Sequence, residues 1–511
     1  MNSDDENEQI AKAMALSLQG LDSQLRQEQK EKDDLRKAIA ASLGKKVEEL
    51  TARDMLLAET TNPPLKRPRE EDENDDVNVL PTHRILKRLN NSEARFWDGV
   101  IKLTYVKGFI GPDYIRFEDI IQKHDLKKAL ITAFVCSLDF INDNFPLDVN
   151  LCIVTHGRPA IKKQIHPHRI IIQPPLKNEK YGVFHPKLML LFRDSSVRIV
   201  IGSANMERYD YEDLENVVFI QDFPRLKTPH KTFSELPRFA RDICDLLDHM
   251  QVPNSVKEEL LKYDYNKAKA HIVASISGTF EGEEEYRKYG HTRLADIINE
   301  IVGPINDSKL LPKVEMQTSS LGALSLSYLN ELYRSFCGIE SYSKEKPILI
   351  TKKNELPPID IIYPTKDTVE SSRLGPSGAG TICLNSNTWK KPTFPKQIMC
   401  DSISQRQGTL MHSKYIIATL PSTFKSSKFL TESNLGKLRG WMYCGSHNAT
   451  VSAWGKFTVS RDTKKPKMNI SNWELGVVLP IFEKSDFPAP YLRPAPRYQS
   501  SQEAWTQNME W

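Results

Sequence analysis

The feature that most constrains this chain is a short chemical pattern that occurs twice. His185-Pro186-Lys187 leads into an apolar run, then Gly202-Ser203-Ala204-Asn205, then a second apolar run that begins after Asn216. His412-Ser413-Lys414 leads into another such run, then Gly445-Ser446-His447-Asn448, then Trp473-Glu474-Leu475-Gly476 at the mouth of a further one. The order H-x-K, strand, G-S-x-N, strand is kept in both copies. Residues i and i+2 of an extended segment project to one face, so each His is expected beside its Lys. Glycine permits a tight turn at the strand end, and the Asn amide can donate to an oxyanion. Two such half-sites facing one another would gather two imidazoles, two ammoniums and two amides around one point. That set suits a phosphoryl group and requires no metal and no cofactor.

The surroundings read as an α/β architecture, since strand-length apolar runs alternate with polar helical stretches. The runs are Asn150–Thr155, Arg169–Gln173, Lys187–Phe192, Arg198–Ile201 and Val217–Ile220, then Ile272–Ile276, Ile359–Tyr363, Lys414–Ala418, Gly440–Cys444 and Leu475–Leu479. We expect two similar halves, 93–285 and 286–505, each a mixed β-sheet flanked by helices and related by a pseudo-twofold. The seven cysteines are scattered without C-x-x-C spacing and read as buried reduced thiols. His156, His166, His168 and His271 have no carboxylate at a diagnostic spacing and read as structural or surface residues. The N-terminus lacks the apolar segment of a signal peptide, and no run approaches the roughly 18 apolar residues of a membrane span.

Charge divides the chain unevenly. Residues 1–80 hold 19 Asp/Glu against 12 Lys/Arg, a net of −7, which leaves +11 on the remainder of a chain whose total is +4. A basic body of this kind is suited to meeting a polyanion. Residues 1–85 have few aromatics and read as a largely disordered acidic tail with helical pieces. The cluster Lys66-Arg67-Pro68-Arg69, at 66–69 in that tail, reads as a nuclear import signal and predicts a nuclear protein. Two segments of the tail, at about 4–20 and 31–45, repeat with an offset of 25 residues. Ile10, Ala13, Met14, Ser17 and Leu18 align with Leu35, Ala38, Ile39, Ser42 and Leu43, and acidic residues precede each set. Each forms one stripe of an amphipathic helix. The pattern resembles the ubiquitin-interacting motif, in which a small Ala lets the helix lie close to ubiquitin's apolar patch. Ubiquitin or ubiquitinated proteins are therefore expected partners.

The duplicated H-x-K with G-S-x-N resembles the phospholipase D superfamily. Most members carry an Asp five residues after each Lys; here those positions are Phe192 and Thr419. That double loss, with the trailing Asn216 and Glu474, is similar to the tyrosyl-DNA phosphodiesterase family. Gln317–Gly322, Ile361–Pro364, Ser452–Gly455, Glu474–Val477 and Phe487–Tyr491 agree with it, so the resemblance covers about residues 93–505. It implies a DNA-repair phosphodiesterase that hydrolyses 3′-phosphotyrosyl and other 3′-end adducts to a DNA 3′-phosphate through a phosphohistidine. His185 would be the nucleophile and His412 the general acid, then base. Lys187, Lys414, Asn205 and Asn448 would hold phosphate oxygens, and Glu474 would orient His185. Asn216 stands where the family has Gln, and its shorter amide departs from that orienting contact. Tyr181 would stack on a base and Ser320 would contact DNA, while Ala323 replaces a second serine of the DNA-contact loop. The implied partners are single- and double-stranded DNA with blocked 3′ ends and a topoisomerase I-derived peptide, met by a monomer away from membranes. Two alternatives stand beside this reading: a lipid-directed phospholipase D, and a ubiquitin-binding scaffold with an inactive enzyme half.

Overall fold

In the computed structural model, residues 94–507 are described, except 181, 341–354, 426–435 and 486. The tail helices, the 66–69 cluster and Tyr181 lie outside the described residues. Nine strands come first: β1 (Val100–Thr104), β2 (Tyr114–Ile115), β3 (Lys128–Ala133), β4 (Asn150–Thr155), β5 (Ile161–His166), β6 (Arg169–Gln173), β7 (Leu188–Phe192), β8 (Ser196–Gly202) and β9 (Val217–Pro224). They form one mixed sheet in the order β2-β1-β9-β8-β7-β3-β4-β6-β5. The later strands are β10 (His271–Ser275), β11 (Gly278–Glu281), β12 (Lys313–Gln317), β13 (Ser320–Leu321), β14 (Ile359–Ile362), β15 (Cys383–Leu384), β16 (Met399–Cys400), β17 (Tyr415–Thr419), β18 (Leu438–Gly445), β19 (Lys456–Val459), β20 (Pro466–Ile470) and β21 (Glu474–Phe482). Seven of them form a second mixed sheet, β10-β21-β18-β17-β12-β14-β16; β11-β20-β19 and β13-β15 form two small ones.

The sequence repeat is a repeat of topology. Strands β1-β9-β8-β7-β3-β4-β6 of the first sheet correspond one for one to β10-β21-β18-β17-β12-β14-β16 of the second. The sense of every neighbouring pair is the same: four antiparallel pairings, then two parallel ones. The first sheet only adds β2 and β5 at its edges.

Period-2 alternation stacks the two sheets. Val197, Ile199 and Ile201 of β8 and Met442 and Cys444 of β18 enter one shared core, which also holds Leu188, Val217, Tyr415 and Leu475. The alternate residues Trp441 and Tyr443 turn outward, under the helices Gly290–Val302 and Leu326–Phe336. Val200 turns outward on the other sheet, toward the helices Phe117–Ile121 and Leu138–Asn144. The result is two sheets face to face with helices outside each. All seven cysteines are free thiols. No helix among the described residues is long and apolar enough to cross a membrane.

One close approach fixes the ends of the central strands. Gly445 of β18 and Gly476 of β21 are directly paired. A Cβ on Gly476 would stand 2.2 to 2.3 Å from the Tyr443 ring, and one on Gly445 would stand 2.4 Å from the Gly476 Cα. Tyr443 is fully buried and cannot yield. Gly476→Ala is therefore expected to destabilise the protein by about 1–3 kcal/mol, the cost of overpacking a dense core. Urea denaturation checks this; an unchanged midpoint would show that the ring moves aside.

Candidate active site

Each G-S-x-N begins where its strand stops: Gly202 ends β8 and Gly445 ends β18. The serines then do the same work twice. The Ser203 hydroxyl accepts the Val217 N–H at 3.1 Å and donates to the Asn216 Oδ1 at 2.7 Å. The Ser446 hydroxyl accepts the Leu475 N–H at 2.9 Å and donates to the Glu474 Oε2 at 2.5 Å. This ties each G-S turn to the mouth of the following strand.

The H-x-K segments lie just ahead of β7 and β17 rather than inside them, as extended lead-ins. Each lead-in pairs with the other half of the chain. Phe184 bridges Trp473, with the His185 N–H donating to the Trp473 carbonyl at 3.0 Å. Met411 bridges Glu215, with the His412 N–H donating to the Glu215 carbonyl at 2.9 Å. The backbone of each histidine is thus held by the strand mouth of the opposite half. Arg406, whose guanidinium stands 3.2 Å from the Glu215 carboxylate, buries an ion pair behind the second crossing.

This exchange brings carboxylates to the imidazoles. Glu474 Oε2 is 2.7 Å from His185 Nδ1, and Asp210 Oδ1 is 3.2 Å from His412 Nδ1. All four residues are buried. Both Nε2 atoms are buried without a hydrogen-bond partner. Burial pushes His185 well below the ordinary imidazole value, reinforced by Lys187, Lys414 and His412. Burial also lowers His412, to about 4, although Asp210 opposes this. Two neutral imidazoles result, each anchored at Nδ1 with a lone pair available at Nε2.

The remaining groups close around that space. Lys187 Nζ donates to the His185 carbonyl at 2.8 Å, and Lys414 makes the matching bond to the His412 carbonyl. Burial and Lys414 lower Lys187 strongly, and burial lowers Lys414 to about 7. An arriving anion would therefore favour the charged form of both amines. Asn448 Oδ1 accepts from the Ser320 N–H and from the hydroxyls of Thr318 and Ser319 at 3.1 to 3.2 Å. Asn205 Oδ1 accepts from the Val135 N–H at 3.4 Å. In each amide the oxygen faces the protein, which leaves the NH2 as the end that can meet a ligand. The Ser320 hydroxyl, beside Asn448, is buried without a partner.

The sequence-predicted set thus converges, with one correction. Asn216 is fully buried, but both ends of its amide are engaged behind the site: Oδ1 by Ser203, and Nδ2 with the Asp210 carbonyl at 2.9 Å. The side chain is too short to reach an imidazole as Glu474 does. Asp210, absent from the sequence reading, makes that contact instead. Repetition could not flag it: five residues after Asn205 stands Asp210, but five after Asn448 stands Ala453. His447 packs on Trp454 with ring centroids 4.2 Å apart and bonds Tyr443 and Ser275, so it belongs to the core. No group of three or more His, Cys, Asp or Glu that could hold a metal ion occurs among the described residues.

Comparison with known proteins bears on this arrangement. The profile of the family "Tyrosyl-DNA phosphodiesterase" matches residues 100–509, and two ubiquitin interaction motif profiles match residues 5–20 and 30–46. Among curated relatives, tyrosyl-DNA phosphodiesterase 1 of Drosophila melanogaster is 25% identical over 63% of this chain and 53% of its own length. That of Arabidopsis thaliana is 26% identical over 71% of this chain and 58% of its own. The chain therefore spans between half and three fifths of those relatives. A crystal structure of the yeast tyrosyl-DNA phosphodiesterase superposes with a TM-score of 0.59 at 18% identity, covering 80% of this chain and all of that one. This likeness concerns the fold.

Proposed function

Because the chain belongs to the tyrosyl-DNA phosphodiesterase family, we propose that it is a DNA-repair enzyme that hydrolyses 3′-end adducts, chief among them the 3′-phosphotyrosyl bond left by a topoisomerase I-derived peptide. The observation that carries this reading is the pair of buried Nε2 atoms without partners, each set by a carboxylate on its Nδ1.

His185 is the nucleophile. Glu474 accepts from Nδ1–H, so the Nε2 lone pair is free to attack phosphorus. A bond forms between Nε2 and phosphorus, the bond to the tyrosyl oxygen breaks, and His412 delivers its Nε2 proton to that oxygen. Water then attacks the phosphohistidine and gives its proton to His412. The phosphorus–nitrogen bond breaks, leaving a DNA 3′-phosphate. Lys187, Lys414, Asn205 and Asn448 surround the charge that builds on the phosphoryl oxygens, and their burial strengthens each contact. The diester's own negative charge offsets the depressed affinities of both lysines and of His412 for protons, so binding brings the acid into its working form.

Ser320 contacts the DNA backbone, and the net positive body holds single- or double-stranded DNA with salt-dependent affinity. Both half-sites lie in one chain, so a monomer suffices. The basic cluster at 66–69 supports a nuclear location. The test is a 3′-phosphotyrosyl oligonucleotide in EDTA: release of tyrosine and a 3′-phosphate is expected, and an inert enzyme would refute the reading. Phosphatidylcholine vesicles, the substrate of the lipid alternative, should remain intact.

The two N-terminal motifs bring the enzyme to ubiquitinated partners. Deleting residues 1–50 is expected to leave cleavage of a naked oligonucleotide unchanged and to abolish ubiquitin pull-down. Retained ubiquitin binding would place that function elsewhere.

A further inference from the structure

We propose that Lys177 and Lys467 form a phosphate clamp on the His185 side of the active site, which grips the DNA strand behind its 3′ end. The proposal rests on the DNA-end reading above and adds to it a place on the protein where the strand is held.

Two segments running side by side make this place. One is the approach to His185, residues 177–185; the other is β20 with its link to Glu474, residues 466–474. The Lys177 N–H donates to the Ser277 Oγ at 3.0 Å, which fixes the start of the first segment against the turn ahead of β11. Gly182 then lies so close to the second segment that a Cβ there would stand 2.6 Å from the Ser471 carbonyl oxygen. Beyond it, Phe184 bridges Trp473. In β20 the side chains of Met468 and Ile470 are buried, so period-2 alternation puts Lys467, Asn469 and Ser471 on the outer face. Lys177 and Lys467 therefore flank the same approach to His185 and Glu474.

Their charges are uncompensated. Among the described residues, neither ammonium meets a carboxylate or another acceptor. Glu281, opposite Lys467 in the ladder, is turned to the Thr463 hydroxyl at 2.8 Å. Lys128 and Lys262, by contrast, share Glu259 at 3.3 and 2.9 Å. Burial and the nearby Lys467 lower the affinity of Lys177 for its proton. The Arg158 guanidinium, donating to the Gly182 carbonyl at 2.9 Å, adds a third cation. The hairpin β19–β20 carries five cations, Lys456, Arg461, Lys464, Lys465 and Lys467, against the single carboxylate of Asp462. Like charges held together without a counterion cost free energy, and an anion beside them relieves that cost. The evenly spaced phosphates of a DNA strand supply such anions. Eight residues of extended chain separate Lys177 from His185, so the clamp stands at most about 29 Å away. That is roughly nine nucleotides at about 3.4 Å of rise each.

The test uses the full chain and an adduct-free single strand of about 12 nucleotides, long enough to pass the clamp. Fluorescence anisotropy reads its affinity over a range of salt. Lys177→Gln combined with Lys467→Gln is expected to weaken binding roughly tenfold at about 0.15 M salt. The slope of log K against log salt should shrink by about 1.4, the value for two phosphate contacts on a single strand. Lys127, paired with Asp194, and Lys267, paired with Asp98, enter the sheets at the ends remote from His185 and Glu474. Lys127→Gln with Lys267→Gln removes as much charge and should leave the slope in place. An equal change in both variants would assign the effect to the overall field and overturn the clamp. Thymidine 3′-phosphotyrosine offers the scissile phosphate alone, and the Lys177/Lys467 variant should cleave it at the wild-type rate; a loss there would place the lysines in the chemistry and overturn the clamp too. A wild type that needs both lysines to bind the strand and yet cleaves no adduct would uphold the clamp and refute the repair reading. Cleavage by an enzyme whose salt slope ignores both lysines would refute the clamp alone.

Discussion

His185→Ala is expected to remove turnover of a 3′-phosphotyrosyl oligonucleotide by at least about four orders of magnitude, and to remove the covalent DNA–protein species with it. The size of the effect follows from what remains. Alanine leaves Lys187, Lys414, Asn205 and Asn448 around the phosphate, so the substrate still binds. It leaves no atom in line with the scissile bond, and water cannot take the place of an anchored imidazole in a site this closed. The loss should therefore fall on kcat, with KM changed little. It should not recover with pH, because nothing else in the site carries a free lone pair on that side. Gel analysis of quenched single turnovers reads both quantities. Residual cleavage through a covalent species in this variant would assign the nucleophile elsewhere.

His412→Gln should behave differently, and the difference separates the two histidines. The first displacement expels a phenolate whose conjugate acid has a pKa near 10, so it tolerates the loss of its proton donor. The second displacement needs water made nucleophilic, and it loses its base outright, a factor of roughly 10² to 10⁴. A burst of phosphohistidine is therefore expected, with stoichiometry approaching one per enzyme, followed by very slow release. The adduct should be labile to acid and stable to alkali, as a phosphoramidate is. If His412→Gln merely slowed turnover without accumulating the adduct, both displacements would depend equally on this group and the division of labour would fail.

How far these roles can be read from the sequence depends on the kind of signal. The duplicated H-x-K and G-S-x-N are legible because they are contiguous and occur twice, and they bring His185, His412, both lysines and both asparagines to one place. The apolar strands are legible where burial on both faces leaves an unbroken run, as in β7 (LMLLF). Eleven of the twenty-one strands among the described residues lie outside the runs read from the sequence, and three of them show why. β3 begins Lys128-Ala129-Leu130, which has the composition of a helix, and it is a strand because β4 and β7 clasp it from both sides. β12 (KVEMQ) interleaves charge with apolar residues although it sits between two other strands. β5 exposes every side chain and owes its form to pairing with β6 at the sheet edge. Asp210 was illegible for another reason. It has no counterpart in the other half, and its role depends on Met411 pairing with Glu215, a contact across 196 residues.

That crossing of backbones has a consequence for how such a protein can specialise. Two identical chains meeting on a twofold axis must offer both histidines the same partner, since every contact is made twice. Whatever suits one imidazole is then imposed on the other. Joining the halves in a single chain lifts this restriction while keeping the reciprocal grip of Phe184 on Trp473 and of Met411 on Glu215. One imidazole keeps a glutamate from a strand; the other takes an aspartate from a helix. A single chain is free to give its two imidazoles different surroundings, and the unequal carboxylates on their Nδ1 atoms are such a difference.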